Sequence, residues 1–259
     1  MANATLFVVF HHELKKNYYD ESLLGQYAFI NVNPKNEAAV QYSDYKIINQ
    51  YEFRNFHSLG KWYTESEVMY NIFKNPYLCE GADYLGFLQH DIDSSGLNEN
   101  VVSELTEKYD HINFQPYLFE TDYAQRILMD ENQPEKRNGD GLNCYDSIIS
   151  DYNKFYGTNH TLSELSGKTI NLCSSFILKK DVFFKMMKYI AAVIESGKLN
   201  IFDTAHQFRI QGGLLERYYA VWLALNDLST TVVPLKHHFI ESVRQDSIFN
   251  RILRKLGLK

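Results

Sequence analysis

The sequence predicts an α/β fold in which a mixed sheet is flanked by helices. Three observations carry that expectation. Short apolar runs bounded by polar residues alternate with stretches of helical period. The length, 259 residues, suits one domain with a substantial core. With 45% hydrophobic and 22% charged residues, the composition is that of a globular chain, and no stretch is apolar enough to span a bilayer.

The first strand is expected at residues 5–10 (Thr5 to Phe10). It is too short for a signal sequence and has no basic residues before it, which favours the cytoplasm. A second strand follows at 27–32, ahead of Pro34. Thr64 and Glu67 have capping-box spacing, and Val68, Ile72 and Phe73 share a helical face, so a helix should begin there. Residues 84–88 (Tyr84-Leu85-Gly86-Phe87-Leu88) read as a buried strand leading into Gln89-His90-Asp91-Ile92-Asp93.

Beyond that point, residues 130–143 form a polar stretch predicted as a surface loop. A strand is expected over 171–178. Asp181 should cap a helix that carries Val182, Phe183, Met186 and Ile190 and stops at Gly197. Another helix should follow the Gly212-Gly213 pair, and a short strand should occupy 230–234. Residues 247–259 have apolar positions every four residues beside Arg251, Arg254, Lys255 and Lys259, as in a basic amphipathic helix. The expected division is therefore a catalytic domain over 1–246 and a tail helix over 247–259.

Several function classes recede on composition alone. A formal charge of −6 argues against nonspecific nucleic-acid binding, which needs clustered Lys and Arg. Cys79, Cys144 and Cys173 lie far apart without metal-ribbon spacing and read as reduced core thiols. The 19 Tyr and 17 Phe could stack on sugars or bases, although most must fill the core.

The central motif is Asp91-Ile92-Asp93. In an extended segment, residues two apart point to the same side, so both carboxylates can face one cation. Mg²⁺ and Mn²⁺ prefer oxygen ligands and usually combine one or two carboxylates with substrate phosphates. The motif's place at a strand end fits ligand binding at the carboxyl edge of an open α/β sheet. His237 and His238, after the expected strand at 230–234, could complete the shell. Surface histidines are the ordinary alternative.

The Gly212-Gly213 pair lets a backbone approach a ligand closely, and Glu216 stands just beyond it. The stretch is similar to the glycine-bearing loop and nearby acid that line the acceptor site of inverting GT-A enzymes, and that resemblance makes Glu216 the candidate general base. It could instead simply favour a helix dipole, and Glu120 and Asp122 are held in reserve. Phe10, His11 and His12, at the end of the first strand, are candidates for contact with the base and ribose of a donor, with Ile92 beside them. Arg54 and Lys61 could offset phosphate charge.

A family resemblance joins these features. Residues 58–75, which contain Glu65, Tyr70, Lys74 and Asn75, are followed by Asp83-Tyr84-Leu85-Gly86-Phe87, and together they resemble the E-x-x-x-x-Y-x-x-x-K-N helix and D-Y-(I/V)-G-(F/L) strand of DUF4422-type glycosyltransferases. Residues 173–183 and 211–223 are similar too. That family is associated with bacterial capsule and exopolysaccharide genes, and related enzymes of the GT-A fold occur in large DNA viruses. Where many members carry H-Y-R-R, this chain has Gln89-His90-Asp91-Ile92-Asp93, closer to the general GT-A pattern.

The resemblance implies a GT-A-like, Rossmann-like sheet and transfer of a sugar from a nucleotide diphosphate donor, a UDP-sugar above others, to a glycan or lipid-linked glycan hydroxyl. It adds Glu65 and Tyr70 to the donor pocket. The cofactor is expected to be Mn²⁺ or Mg²⁺ and the outcome inversion, with retention open because the sequence does not fix where Glu216 lies relative to the sugar. The basic tail would suit peripheral contact with an anionic membrane, or would pack on its own domain. A metal-dependent phosphohydrolase and a noncatalytic glycan-binding protein are the competing readings.

Overall fold

The computed structural model describes residues 2–35, 42–60, 63, 65–119, 143–171, 173–201 and 210–238. The expected tail helix at 247–259, most of the polar stretch at 130–143, and Lys61, Thr64, Glu120 and Asp122 lie outside the described residues.

The strands in chain order are β1 (Ala4–Phe10), β2 (Tyr27–Asn31), β3 (Ile47–Asn49), β4 (Tyr84–Gln89), β5 (Ile92–Asp93), β6 (His111–Asn113), β7 (Pro116–Leu118), β8 (Thr169–Asn171), β9 (Phe176–Lys179), β10 (Thr230–Val232) and β11 (Lys236–His237). The α-helices are α1 (Glu65–Lys74), α2 (Glu99–Lys108), α3 (Asn143–Tyr156), α4 (Lys180–Glu195) and α5 (Ile210–Leu225). A seven-stranded sheet runs in the order β10-β6-β9-β4-β1-β2-β3. Within it β9 is antiparallel to both β4 and β6, while the other pairings are parallel. Six strands therefore end at the same edge.

Side chains alternate across this sheet with period two. On one face Phe7, Val9, Leu85, Phe87, Phe176 and Leu178 pack against buried residues of α1, α3, α4 and α5. On the other, Leu6, Val8, Phe10, Leu88, Ile112 and Ile177 meet Leu14, Tyr18, Tyr19, Leu23 and Val102. Each side chain removed completely from water in this way contributes roughly 1.5–3 kcal/mol. Both layers belong to one sheet, as expected of an α/β fold.

Local chemistry explains the boundaries. Helix α4 keeps Val182, Phe183, Met186 and Ile190 on its buried side, and Gly197, at φ +72°, ends it in the left-handed conformation that glycine adopts without strain. Asp181 lies in the first turn instead of capping, because Lys179 occupies the cap position. The strand expected over 171–178 is interrupted. Cys173 and Ser174 have φ of 64° and 37°, and this turn separates β8 from β9. Two consecutive left-handed, non-glycine residues have no signature in an apolar run.

Helix α5 begins at Ile210, so Gly212 and Gly213 lie inside its first turn and not in a loop before it. The reason is burial. Gln211, Leu214, Leu215, Arg217 and Tyr218 to Leu223 are all buried, and a helix covered on most sides gains enough from packing to carry two glycines at roughly 1 kcal/mol each.

Candidate functional site

The parallel strand β4 carries the chain to the carboxyl edge, where His90 and Asp91 turn it into β5. This two-residue strand pairs antiparallel with β11, placing Ile92 opposite His237 and Asp93 opposite Lys236. The His238 amide donates to the Asp91 carbonyl at 2.8 Å, extending the ladder. Each carboxylate thereby faces its own imidazole: Asp91 Oδ2 lies 3.1 Å from His237 Nε2, and Asp93 Oδ2 lies 3.7 Å from His238 Nε2.

The electrostatics follow from this pairing. Burial by itself would raise the pKa of Asp91, but the His237 hydrogen bond and the imidazoles of His237 and His90 outweigh it and hold the carboxyl below its usual range. Asp93 is also lowered: its burial is outweighed by hydrogen bonds from Ser95, whose amide and hydroxyl reach Oδ1 at 3.1 and 2.6 Å, and by His238. Asp91 Oδ1 is buried with no hydrogen-bond partner among the described residues. An ionised oxygen of this kind calls for a cation or a donor.

Three further imidazoles gather beside the pair. His11 and His12, exposed just after β1, have ring centroids 4.2 Å apart, and the buried His90 ring stands 4.8 Å from His11 and 6.2 Å from His12. Burial lowers the pKa of His90, against the opposing pull of Asp91 and Glu65. His90 is a site residue that the sequence reasoning passed over. The signal was available, since a histidine directly before Asp91 at the end of an apolar strand must lie at the same sheet edge.

Glu216 sits in the second turn of α5, and Glu65 opens α1. Burial, and then the carboxylates of Glu216, Glu65 and Asp91, push the Cys173 thiol far above its ordinary pKa. All three acids, from separate elements, act electrostatically on the turn between β8 and β9. In the same turn Ser174 and Ser175 are buried, and their hydroxyls have no partners among the described residues.

Other sequence candidates have structural duties. The Phe10 side chain lies within the apolar core, as does that of Ile92. The Tyr70 hydroxyl donates to Glu195 at 2.8 Å, beside the Lys74 ammonium at 2.7 Å on the same oxygen, which ties α1 to the end of α4. Asn75 receives the Asn55 amide at 2.9 Å and donates to the Asn55 carbonyl at 2.9 Å; Asn71 clasps His57 in the same way. The contacts of Tyr70 are with Glu195, Lys74 and the His57 ring, on the α4 side of α1, and Arg54 lies with its guanidinium over the Tyr77 ring.

A divalent cation is compatible with these donors. Mg²⁺ and Mn²⁺ accept one or two protein carboxylates and take their remaining ligands from water and phosphate. Asp91 and Asp93 supply hard oxygens, one of them unpartnered. No group of three or more His, Cys, Asp or Glu converges in ligand geometry among the described residues, so the protein would furnish part of a shell and not a closed cage.

The sheet order, its single antiparallel member and the carboxylates beyond β4 define an α/β fold of the GT-A, Rossmann-like type. Among solved structures, the chain is similar to the apo form of WbbM, a bifunctional glycosyltransferase, with a TM-score of 0.58 and 13% identity over 92% of this chain. It spans 46% of WbbM. It is also similar, with a TM-score of 0.45 and 10% identity, to glucosyl-3-phosphoglycerate synthase from Mycobacterium tuberculosis in complex with Mg²⁺ and uridine diphosphate, over 99% of this chain and 80% of that one. No family model and no curated protein sequence matches the chain.

Proposed function

We propose that this chain is a metal-dependent glycosyltransferase that moves a sugar from a nucleotide diphosphate donor, a UDP-sugar above others, to a hydroxyl of a glycan or lipid-linked glycan. The observation that carries the reading is the pairing of Asp91 with His237 and Asp93 with His238 at the carboxyl edge of a GT-A sheet. The fold shared with WbbM supports it, as do the motifs that resemble DUF4422-type enzymes.

Asp91 and Asp93 would hold Mn²⁺ or Mg²⁺, with His237 or His238 as a further ligand or as the group that orients each carboxylate. When bound, the cation supplies Lewis acidity toward the departing diphosphate. Depressed carboxyl pKa values keep both aspartates ionised at neutral pH, ready for that role. His11 and His12, with Glu65 nearby, stand where the nucleoside would lie if the donor binds across the ends of β1 and β4.

Glu216 is the candidate for removing the proton from the acceptor hydroxyl, with Gly212 and Gly213 offering backbone without side chains one turn earlier. Attack opposite the leaving diphosphate then inverts the anomeric carbon. Among the described residues no helix is long and apolar enough to cross a membrane. For a lipid-linked acceptor, the basic segment 247–259 is the candidate for contact with the membrane surface.

The test is a thermal-shift screen of UDP-, GDP- and dTDP-sugars with Mn²⁺, followed by donor turnover with and without the metal. Specific stabilisation by one nucleotide class, lost in Asp91→Ala and Asp93→Ala, is expected. If every donor leaves the melting temperature unchanged and none releases nucleotide diphosphate, the reading fails.

A further inference from the structure

The paired aspartates and histidines come from distant parts of the chain, and one aromatic residue touches both His238 and Ser94, the residue that follows Asp93. Tyr18, at the end of a short 3-10 turn (Lys16–Tyr18), is buried. Its ring stacks on the His238 imidazole with centroids 4.9 Å apart and planes 24° from parallel. Its carbonyl accepts from both the amide and the hydroxyl of Ser94, at 2.9 and 2.8 Å. Ser94 directly follows Asp93 and is fully buried, with its hydroxyl also 3.1 Å from the Tyr27 hydroxyl.

The neighbouring Tyr19 holds the other end of the same segment, its hydroxyl donating to the His90 carbonyl at 3.4 Å. The 90–94 segment is therefore gripped at entry and exit by two consecutive tyrosines. The carbonyl that anchors Ser94 is main chain and stays when the side chain is changed. Replacing the Tyr18 ring therefore removes the surface that fixes the His238 ring plane and the packing that holds this carbonyl in place. Rigid support of this kind decides how well a partial ligand set holds a cation.

The geometry points to Tyr18 as a positioning residue for the metal-binding pair, acting through His238 on one side and through Ser94 and Asp93 on the other. This rests on the proposed metal role of Asp91 and Asp93. Tyr18 does not touch the reacting groups. Its contribution is to fix the distance between β5 and β11, hence the approach of each imidazole to its carboxylate. Its ring is the transmitting part, so phenylalanine should serve nearly as well and an aliphatic side chain should not.

The experiment is titration of the full chain with Mn²⁺ alone, followed by electron paramagnetic resonance, on wild type, Tyr18→Phe, Tyr18→Leu and Asp93→Asn, with circular dichroism melts of each. The inference expects Tyr18→Phe within twofold of wild type and Tyr18→Leu weaker by roughly tenfold or more, at the scale of groups that orient metal ligands, while a cooperative melt persists. If Tyr18→Leu is unfolded at the assay temperature, Ser94→Ala carries the test and should weaken Mn²⁺ binding severalfold. Folded Tyr18→Leu, or Ser94→Ala in its place, with wild-type affinity overturns the positioning role while leaving the metal site standing. Mn²⁺ binding that is unaffected by Asp93→Asn overturns the metal site and this inference with it.

Discussion

His237 Nε2 stands 3.1 Å from Asp91 Oδ2, across a two-stranded ladder that joins the middle of the chain to residues 236 and 237. The contact pulls the Asp91 carboxyl below its normal pKa despite its burial. It also leaves Oδ1 of the same carboxylate buried with no hydrogen-bond partner among the described residues.

His237→Leu should therefore lower Mn²⁺ affinity by roughly ten- to a hundredfold, whether the imidazole ligates the ion or orients Asp91. His237→Gln, which can still donate a hydrogen bond, should recover part of the loss if orientation is the role. Calorimetric titration of the three proteins distinguishes the cases. Equal affinities throughout would remove His237 from the site.

Glu216→Gln should reduce kcat for sugar transfer by roughly 10²–10⁴-fold, the usual contribution of a positioned base. Mn²⁺ affinity and melting temperature should stay near wild type, because the isosteric amide preserves packing. A loss below about tenfold would mean that another group takes the proton.

His111 supplies a pH signature away from the site. It lies at the start of β6 with Nδ1 3.3 Å from Thr230 Oγ1, and burial pushes its pKa down to about 4. The unfolded chain, with an ordinary histidine pKa near 6.5, binds the proton first as pH falls. Stability from this group is complete above about pH 6.5 and is lost progressively toward pH 4, by about 3 kcal/mol in all. Denaturant midpoints measured at pH 7.5 and pH 5 should converge in His111→Leu relative to wild type. A wild-type acid dependence unchanged by the substitution would contradict the assignment.

Gly86 lies on the central strand β4, where an added Cβ would come within 2.4 Å of Leu6 Cδ2 and 3.1 Å of Ile177 Cγ1. Gly86→Ala should cost about 1–3 kcal/mol through overpacking. Pairing it with Leu6→Val should return part of that cost, and a double-mutant cycle measures the coupling. Additive effects of the two changes would show that the core yields elsewhere.

The strands that build the sheet centre were legible because their apolar runs are short and well bounded: residues 5–10, 27–32 and 84–88 correspond to β1, β2 and β4. Helix α1 was legible from its period. The Asp91 and Asp93 pair could be placed at the carboxyl edge because a strand leads directly into it. His237 and His238 were placed beside a short strand, but their one-to-one pairing with the aspartates depends on the β5–β11 ladder, a tertiary contact without local signature. The turn at Cys173 and Ser174 and the start of α5 ahead of two glycines were set by packing, against local propensity. The motif that includes Tyr70, Lys74 and Asn75 is informative in a different sense, since those side chains fasten α1 to α4 and to the loop at 55–57. It marks a scaffold, and Glu65 alone among its quoted residues acts electrostatically on the site.

The ladder between β5 and β11 also has a temporal meaning. During synthesis the residues of β1, β2 and β4 leave the ribosome long before Lys236 and His237, so the sheet centre can form while Asp91 and Asp93 still lack their imidazoles. A growing chain would carry a nearly finished scaffold with an unfinished ion site. Competence to bind metal would arrive only once Lys236, His237 and His238 have emerged and paired with β5.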